Sequence, residues 1–249
     1  MDQERELVSL RRVTLTYGLT RILERTDQRI VAGERIALVG QAGSGKTQLL
    51  RVLSSLVIPF FGSVRLFGQK LHRNQELLAQ VRRSIGMQFQ NFALFDSMTV
   101  LENAAFPLVA GLGLPEAEAE ARARAILAQV GLGEFEGVLP GGLSGGQKRR
   151  LAVARALVGG APLALFDDPV AGLDPVNSGK ILDLIFAARA GVEGSTVVCA
   201  HDVDRLLPRV TRVLMLHKGR LVFDGSPEEF RRSEEPAAAA FTAALEVRA

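Results

Sequence analysis

The sequence predicts an α/β protein built on a mainly parallel β-sheet, and three observations carry that reading. Short apolar runs at residues 35–39, 163–166 and 196–200 have the length and composition of buried strands. Helix-favouring stretches alternate with them, as strand–helix–strand units require. The octapeptide Gly40-Gln41-Ala42-Gly43-Ser44-Gly45-Lys46-Thr47 joins the first of these strands to a helix and fits the P-loop pattern G-x-x-x-x-G-K-[ST]. In open sheets of this kind the ligand lies at the carboxyl ends of the strands.

In chain order, residues 8–17 and 22–31 read as strands, punctuated by Gly18 and by Gly33-Glu34. Residues 48–53 continue the helix behind the P-loop, and Pro59 and Gly62 end that element. Residues 63–68 and 84–89 read as two further short strands. From Thr99 the period becomes helical, and Thr99 with Glu102 has capping-box spacing. Residues 115–130, rich in Ala, Glu and Arg, predict a helix with an exposed face. A glycine-rich connection over 131–142 leads to a helix over 145–158. A mostly helical segment, about 91–160, therefore separates strand-rich parts. The alternation then resumes with a strand at 163–166, a helix at 175–190 and a strand at 196–200. Residues 210–216 and 220–223 form a hairpin around Lys218-Gly219, and Ser226-Pro227 with Glu229 starts a helix. No internal repeat is visible.

Composition narrows the function classes. The chain has 249 residues, 47% hydrophobic and 23% charged, which supports a real core and argues against disorder. Thirty basic against 27 acidic residues give a net charge of +3, too balanced to indicate a nucleic-acid partner. The single cysteine, Cys199, excludes a disulfide within the chain and reads as a buried strand thiol. The charged start Met1-Asp2-Gln3-Glu4-Arg5-Glu6 does not resemble a secretory signal. No uninterrupted apolar run reaches the ~18 residues that a membrane span needs. The chain is expected in the cytoplasm, with any membrane association made through a partner.

The chemistry-bearing stretches are three. In the P-loop, glycines let successive N–H groups converge on one point at a helix N-terminus, where an anion is favoured. Lys46 adds a mobile positive charge for the outer phosphates, and the Thr47 hydroxyl is placed to hold Mg²⁺. Residues 163–168 form an apolar strand ending in two carboxylates. Asp167 suits a Mg²⁺ shell and Asp168 a water; a solvated turn before Pro169 is the bland alternative. Leu143-Ser144-Gly145-Gly146-Gln147 precedes a helix, and Ser144 and Gln147 have the spacing of a plain capping box. Two glycines inside such a start weaken a helix, however, and expose amides to an anion.

Leu-Ser-Gly-Gly-Gln lying between a P-loop and an apolar-Asp strand resembles the signature of ATP-binding-cassette (ABC) ATPases, and the chain is similar to that family from end to end. The resemblance implies a P-loop NTPase (RecA-like) core with an N-terminal antiparallel β subdomain, over residues 1–90 and 161–235. It implies an inserted α-helical subdomain at 91–160 and a C-terminal tail at 236–249. The implied cofactors are ATP and Mg²⁺. Tyr17, otherwise an ordinary strand aromatic, would stack on adenine. Gln90, preferred over Gln88, would touch Mg²⁺ with Thr47 and Asp167. Asp168, His201 and Gln90 would act at the γ-phosphate. Ala171-Gly172-Leu173-Asp174 matches the D-loop, although Asp174-Pro175 is also a good helix start. Two copies would sandwich ATP head to tail, so Ser144, Gly145, Gly146 and Gln147 would serve the partner's ATP. Closure and hydrolysis would drive a separate membrane permease, with the chain peripheral on the inner face of the cytoplasmic membrane.

Residues 89–103, Phe-Gln-Asn-Phe-Ala-Leu-Phe-Asp-Ser-Met-Thr-Val-Leu-Glu-Asn, resemble the ATPases of Mce/Mla-type lipid transport systems. That resemblance implies a phospholipid cargo, an Mce-domain lipid-binding partner, and a permease groove walled by Phe92, Leu94 and Phe95. A cassette for another substrate, such as an amino acid, and a nucleotide-dependent switch are the alternatives. The switch reading rests on one departure. Where the family usually has Asp-Glu, this chain has Asp167-Asp168, one methylene shorter. A misplacement of about 1 Å can lower a rate on the order of a hundredfold. Either the backbone compensates or hydrolysis is slow.

Overall fold

The computed structural model describes residues 5–200 and 203–246. The chain opens with two twelve-residue strands, β1 (Glu6–Tyr17) and β2 (Thr20–Val31), paired antiparallel across a turn at Gly18 and Leu19. β3 (Arg35–Val39) feeds the P-loop and α1 (Lys46–Leu53). β4 (Phe61–Leu66) and β5 (Gln69–Lys70) then return to β1, completing an antiparallel sheet in the order β2-β1-β4-β5. α2 (Gln75–Arg82) leads into β6 (Ile85–Gln88). Helices α3 (Val100–Phe106), α4 (Glu116–Gln129) and α5 (Gly145–Leu157) come next, then β7 (Leu163–Asp167), α6 (Pro175–Ala188) and β8 (Ser195–Cys199). α7 (Val203–Leu206), the hairpin of β9 (Arg212–His217) and β10 (Arg220–Gly225), α8 (Pro227–Arg231) and α9 (Pro236–Glu246) end the described chain. The second sheet runs β10-β9-β3-β8-β7-β6, parallel throughout except for β10.

The near-continuous apolar runs of β3, β7 and β8 are explained by burial on both faces. Ile36, Leu38, Leu163, Leu165 and Val197 point into one core, shared with β1, β2 and α1. Their neighbours Ala37, Val39, Ala164, Phe166 and Val198 point into a second core, shared with α3 to α6. The period of two is thus intact, but both phases are apolar. Stacking this sheet between two apolar layers fixes the carboxyl ends of β3 and β7 side by side with β8 between them.

Local signals set most boundaries. The capping boxes at Thr99/Glu102 and Ser226/Glu229 are formed with both reciprocal bonds. β5, α2, α7 and α9 have no counterpart as elements in the sequence analysis. β5 is only two residues long, and α2 is a short helix started by the Asn74 side chain accepting from the Leu77 N–H. After α3 the chain widens into a π-helical turn over Pro107–Gly111, because Pro107 has no N–H with which to continue the α-helical ladder. Among the described residues no helix is long and apolar enough to cross a membrane.

Candidate functional site

The P-loop leaves the carboxyl end of β3 in a conformation that demands glycine at particular points. Gly40, Gly43 and Gly45 have φ of 141°, 75° and 106°. A Cβ on Gly40 would lie 2.2 Å from the Leu216 carbonyl oxygen, and one on Gly45 2.8 Å from that of Ile22. A Cβ on Gly43 would meet nothing, so there the requirement is conformational and the space outside the loop stays open. Gly45 caps α1 with no side-chain hydrogen bond, which leaves the first amides of the helix available to a ligand. The Ser44 hydroxyl oxygen is buried and has no partner among the described residues. Lys46 is buried and arches back, its Nζ donating to the carbonyls of Gly40 at 2.7 Å and Gln41 at 2.9 Å. Open amides, an orphaned hydroxyl and a confined cation together fit a bound polyphosphate. Gly40→Ala is expected to lower stability by about 2–3 kcal/mol, through backbone strain and the Leu216 collision, and to weaken nucleotide binding. Thermal melting and a fluorescent-nucleotide titration check both effects.

Opposite the loop, β7 presents its terminal carboxylates. The Thr47 Oγ1 donates to Asp167 Oδ1 at 3.2 Å. Burial pushes the Asp167 carboxyl above the usual range, while Thr47, Arg51, Lys46 and the Cys199 thiol pull it back down. Asp168 is 5% exposed, has φ of 52°, and donates its N–H to the Cys199 carbonyl at 2.8 Å. Burial drives the Cys199 thiol far up, so it is not a thiolate nucleophile. A cleft of about 370 Å³ is enclosed by Ile22, residues 42–48, Gln90, Asp167, Asp168 and Cys199. The hydroxyl of Thr47, the carboxylate of Asp167 and the amide oxygen of Gln90 are hard donors that fit Mg²⁺. Among the described residues no group of three or more His, Cys, Asp or Glu forms a metal cage. Mg²⁺ takes few protein ligands and completes its shell with substrate phosphates and waters.

The remaining sequence-derived residues fall in three places. Gln90 lines the cleft, whereas Gln88 is buried and donates to the Phe89 carbonyl. Tyr17 stands at the cleft's edge, half exposed, its hydroxyl donating to Gln48 Oε1 at 3.0 Å. Ser144, Gly145, Gly146 and Gln147 do not reach the cleft of their own chain. They form the N-terminus of α5 as a complete capping box, Ser144 N–H to Gln147 Oε1 at 2.8 Å and Gln147 N–H to Ser144 Oγ at 3.3 Å. A Cβ on Gly145 or Gly146 would meet nothing within 4 Å, and neither has positive φ. Packing within this chain therefore requires glycine at neither position. Asp174 is an exposed N-cap of α6, accepting from the N–H groups of Val176 and Asn177 at 3.0 Å, and these bonds hold its carboxyl below the usual range. His201 lies outside the described residues. Ile22, Gln48 and Cys199 line the cleft without having been expected there.

A second concavity of about 640 Å³ has Leu56, Met87, Phe89, Ala93, Phe95, Phe106, Leu112 and Arg155 in its wall. Of Phe92, Leu94 and Phe95, only Phe95 lines this concavity. Phe92 and Ala93 have φ of 64° and 50°, two successive left-handed residues. This turn sets the Phe92 ring beneath the Arg149 guanidinium, 5.3 Å from the ring centroid, and offers its carbonyl to Arg155 at 2.7 Å. Leu94 instead packs on the helical core. The buried Asn103 side chain fixes the backbone at Phe95, accepting from its N–H and donating to its carbonyl.

Two sheets, a helical layer and a P-loop whose Thr47 meets Asp167 define a P-loop nucleotide hydrolase. The ABC transporter family model matches residues 23–171, and the chain belongs to the ATP-binding subunits of that family. It is 37% identical over 226 residues to the phosphonates import ATP-binding protein PhnC 1 of Pseudomonas aeruginosa, covering 86% of this chain and 81% of that one. It is 34% identical over 223 residues to the glutamine transport ATP-binding protein GlnQ of Escherichia coli, covering 89% and 92%. With the intermembrane phospholipid transport system ATP-binding protein MlaF of Haemophilus influenzae it shares 31% over 231 residues, covering 92% and 87%. Among solved structures, the dimeric ATP-binding cassette MJ0796 with ADP and Pi bound matches with a TM-score of 0.83 at 30% identity, over 89% of this chain and 99% of that one. The chain is accordingly an ATPase that uses ATP with Mg²⁺.

Proposed function

We propose that this chain energises phospholipid transport, as the ATPase subunit of an Mce/Mla-type system acting through a separate permease. In this reading residues 40–47 hold the phosphates, Tyr17 the base, and Thr47, Gln90 and Asp167 the Mg²⁺. Asp168 orients the attacking water and His201 faces the γ-phosphate. Ser144 to Gln147 and Asp174 complete the site of a second copy in a head-to-tail dimer. Residues 91–160 act as a helical subdomain inserted in a RecA-like core, with the tail at 236–249. The permease would hold the chain at the inner face of the cytoplasmic membrane.

The observation that carries the lipid reading is the segment 89–103, with its left-handed Phe92-Ala93 turn and Phe95 in the groove wall. The likeness to MlaF supports it. A second reading, import of a small solute, is favoured by the higher identity to the phosphonate importer subunit, 37% against 31%. Purification of the tagged chain from detergent-solubilised membranes of its own host separates them. Recovery of a permease with an Mce-domain protein is the expected result. Recovery of a periplasmic solute-binding protein, or of a permease with no lipid-binding subunit, overturns the lipid reading. Phe95→Glu, placing a charge in the apolar wall, is expected to reduce permease recovery more than about tenfold while ATP binding is retained.

A further inference from the structure

We infer that the permease segment taken up by the groove beside Phe95 carries a carboxylate among apolar side chains, and that Arg155, with the exposed Arg83, selects it. The inference rests on the reading of this groove as the permease's docking site.

The charge of the groove wall is one-sided. The wall contains three arginines, Arg82, Arg83 and Arg155, and no aspartate or glutamate, in a chain with 30 basic and 27 acidic residues. Arg82 is already held within the chain, its Nε donating to Ser55 Oγ at 3.2 Å and its Nη2 to the Ser55 carbonyl at 2.9 Å. Arg83 is exposed at the end of α2. Arg155 is half-buried on α5, its guanidinium 5.6 Å from the Phe95 ring centroid and its Nη2 donating to the Phe92 carbonyl at 2.7 Å. Around these cations Leu56, Phe95 and Leu112 are left 44%, 39% and 42% exposed, an apolar surface that a partner would cover.

Tying the Phe92 turn takes one hydrogen bond, which a neutral donor could supply. A guanidinium has five N–H donors, and the Phe92 carbonyl is the acceptor it meets among the described residues. That carbonyl and the Phe95 ring fix the guanidinium, so an incoming group meets a fork already in place. An apolar segment that fills the groove expels water, and donors on a cation are then costly to leave uncovered unless an anion faces them. A carboxylate at that point is accepted. An apolar or basic residue there leaves the charge unpaired and is rejected. A helix resting its apolar face on Leu56, Phe95 and Leu112 meets both requirements when Asp or Glu stands at the edge of that face.

The test is recovery of the permease on the tagged full chain from detergent-solubilised host membranes, in about 0.1 M and about 0.5 M salt. Arg155→Leu is expected to lower recovery about tenfold in both, because a desolvated pair is little screened. Arg83→Gln is expected to lower it about threefold in the dilute buffer only, as an exposed pair would. In an Arg155→Glu chain, changing one Asp or Glu of the permease's cytoplasmic loops to Arg is expected to restore recovery to within about threefold of native. Unchanged recovery in a folded Arg155→Leu chain, or in Arg83→Gln where that chain does not fold, overturns the inference. So does a set of loop changes none of which restores the Arg155→Glu chain. Leu112→Asn alters the wall and leaves its charge alone. A loss of more than about threefold there, with none in the arginine variants, leaves the groove as the docking site and overturns its selection of an acid. No loss in any of them overturns both. A charge effect confined to self-association on size exclusion would assign the groove to a second copy of the chain, and the inference would fail.

Discussion

A Ser144→Arg chain is expected to bind ATP as the native chain does and to hydrolyse it at less than about 1% of the native rate, the scale of losing preorganised donors at a reacting phosphate. Binding is spared because residues 144–147 contribute nothing to the cleft that their own P-loop lines. Turnover is expected to be lost because, in the proposed dimer, the N-terminus of α5 completes the site of the second copy. Its glycines at 145 and 146 answer no packing need, yet each lowers helix stability by about 1 kcal/mol relative to alanine. Small residues and exposed amides at a helix start suit a phosphate group approaching from solvent. Arginine there fills the approach with side chain. Loss of the Ser144 cap by itself lowers stability by about 1 kcal/mol, too little to unfold the domain, and Ser144→Ala controls for it. Mixing gives the decisive arm. Chains carrying Ser144→Arg and chains carrying Lys46→Ala are each inactive alone. Their mixed dimer regains one intact site, from the first chain's P-loop and the second chain's signature. About a quarter of native activity is expected at equal mixing in a symmetric dimer. No recovery on mixing would mean that Ser144 acts within its own chain.

The features legible in the sequence are the contiguous ones. The P-loop, the apolar strand ending at Asp167-Asp168 and the capping boxes at Thr99, Ser144 and Ser226 are short-range patterns, and the structure forms each of these elements where its residues indicate. Ile22 and Cys199 carry no such pattern. Ile22 reaches the cleft because β2 crosses the P-loop, with its carbonyl against Gly45, and Cys199 because β8 pairs between β3 and β7. Only the tertiary arrangement reveals either. The places taken by Phe92 and Leu94 are hidden for a related reason. Apolar character marks residues that leave water, but two left-handed residues in succession decide which way each one turns, and neither Phe92 nor Ala93 announces a positive φ. α2 is hidden because its eight residues give a helical pattern barely two turns to declare itself.

Asp168→Asn is expected to lower hydrolysis at least about a hundredfold while preserving ATP binding and closing of the dimer, since in the proposed role it removes the charge that orients water without changing side-chain volume. Rapid-quench phosphate release, with dimer formation followed by size exclusion in ATP, reads both. An equal rate in the asparagine variant would leave Asp168 without a chemical role and favour ATP binding as a switch. Asp168→Glu tests the opposite direction, and here two effects compete. The extra methylene gives the carboxylate about 1 Å more reach, the scale on which rates respond, which favours the glutamate variant. The backbone at 168 has φ of 52°, a region that aspartate tolerates better than glutamate does, which favours the native residue for stability. The glutamate variant is therefore expected to turn over faster and melt at a lower temperature, a difference on the order of 1 kcal/mol. If it gained rate without losing stability, the short carboxylate would have no explanation in the backbone. If it lost rate, the position of Asp168 would already be the productive one, with the β7 end and its surroundings compensating in full for the missing methylene.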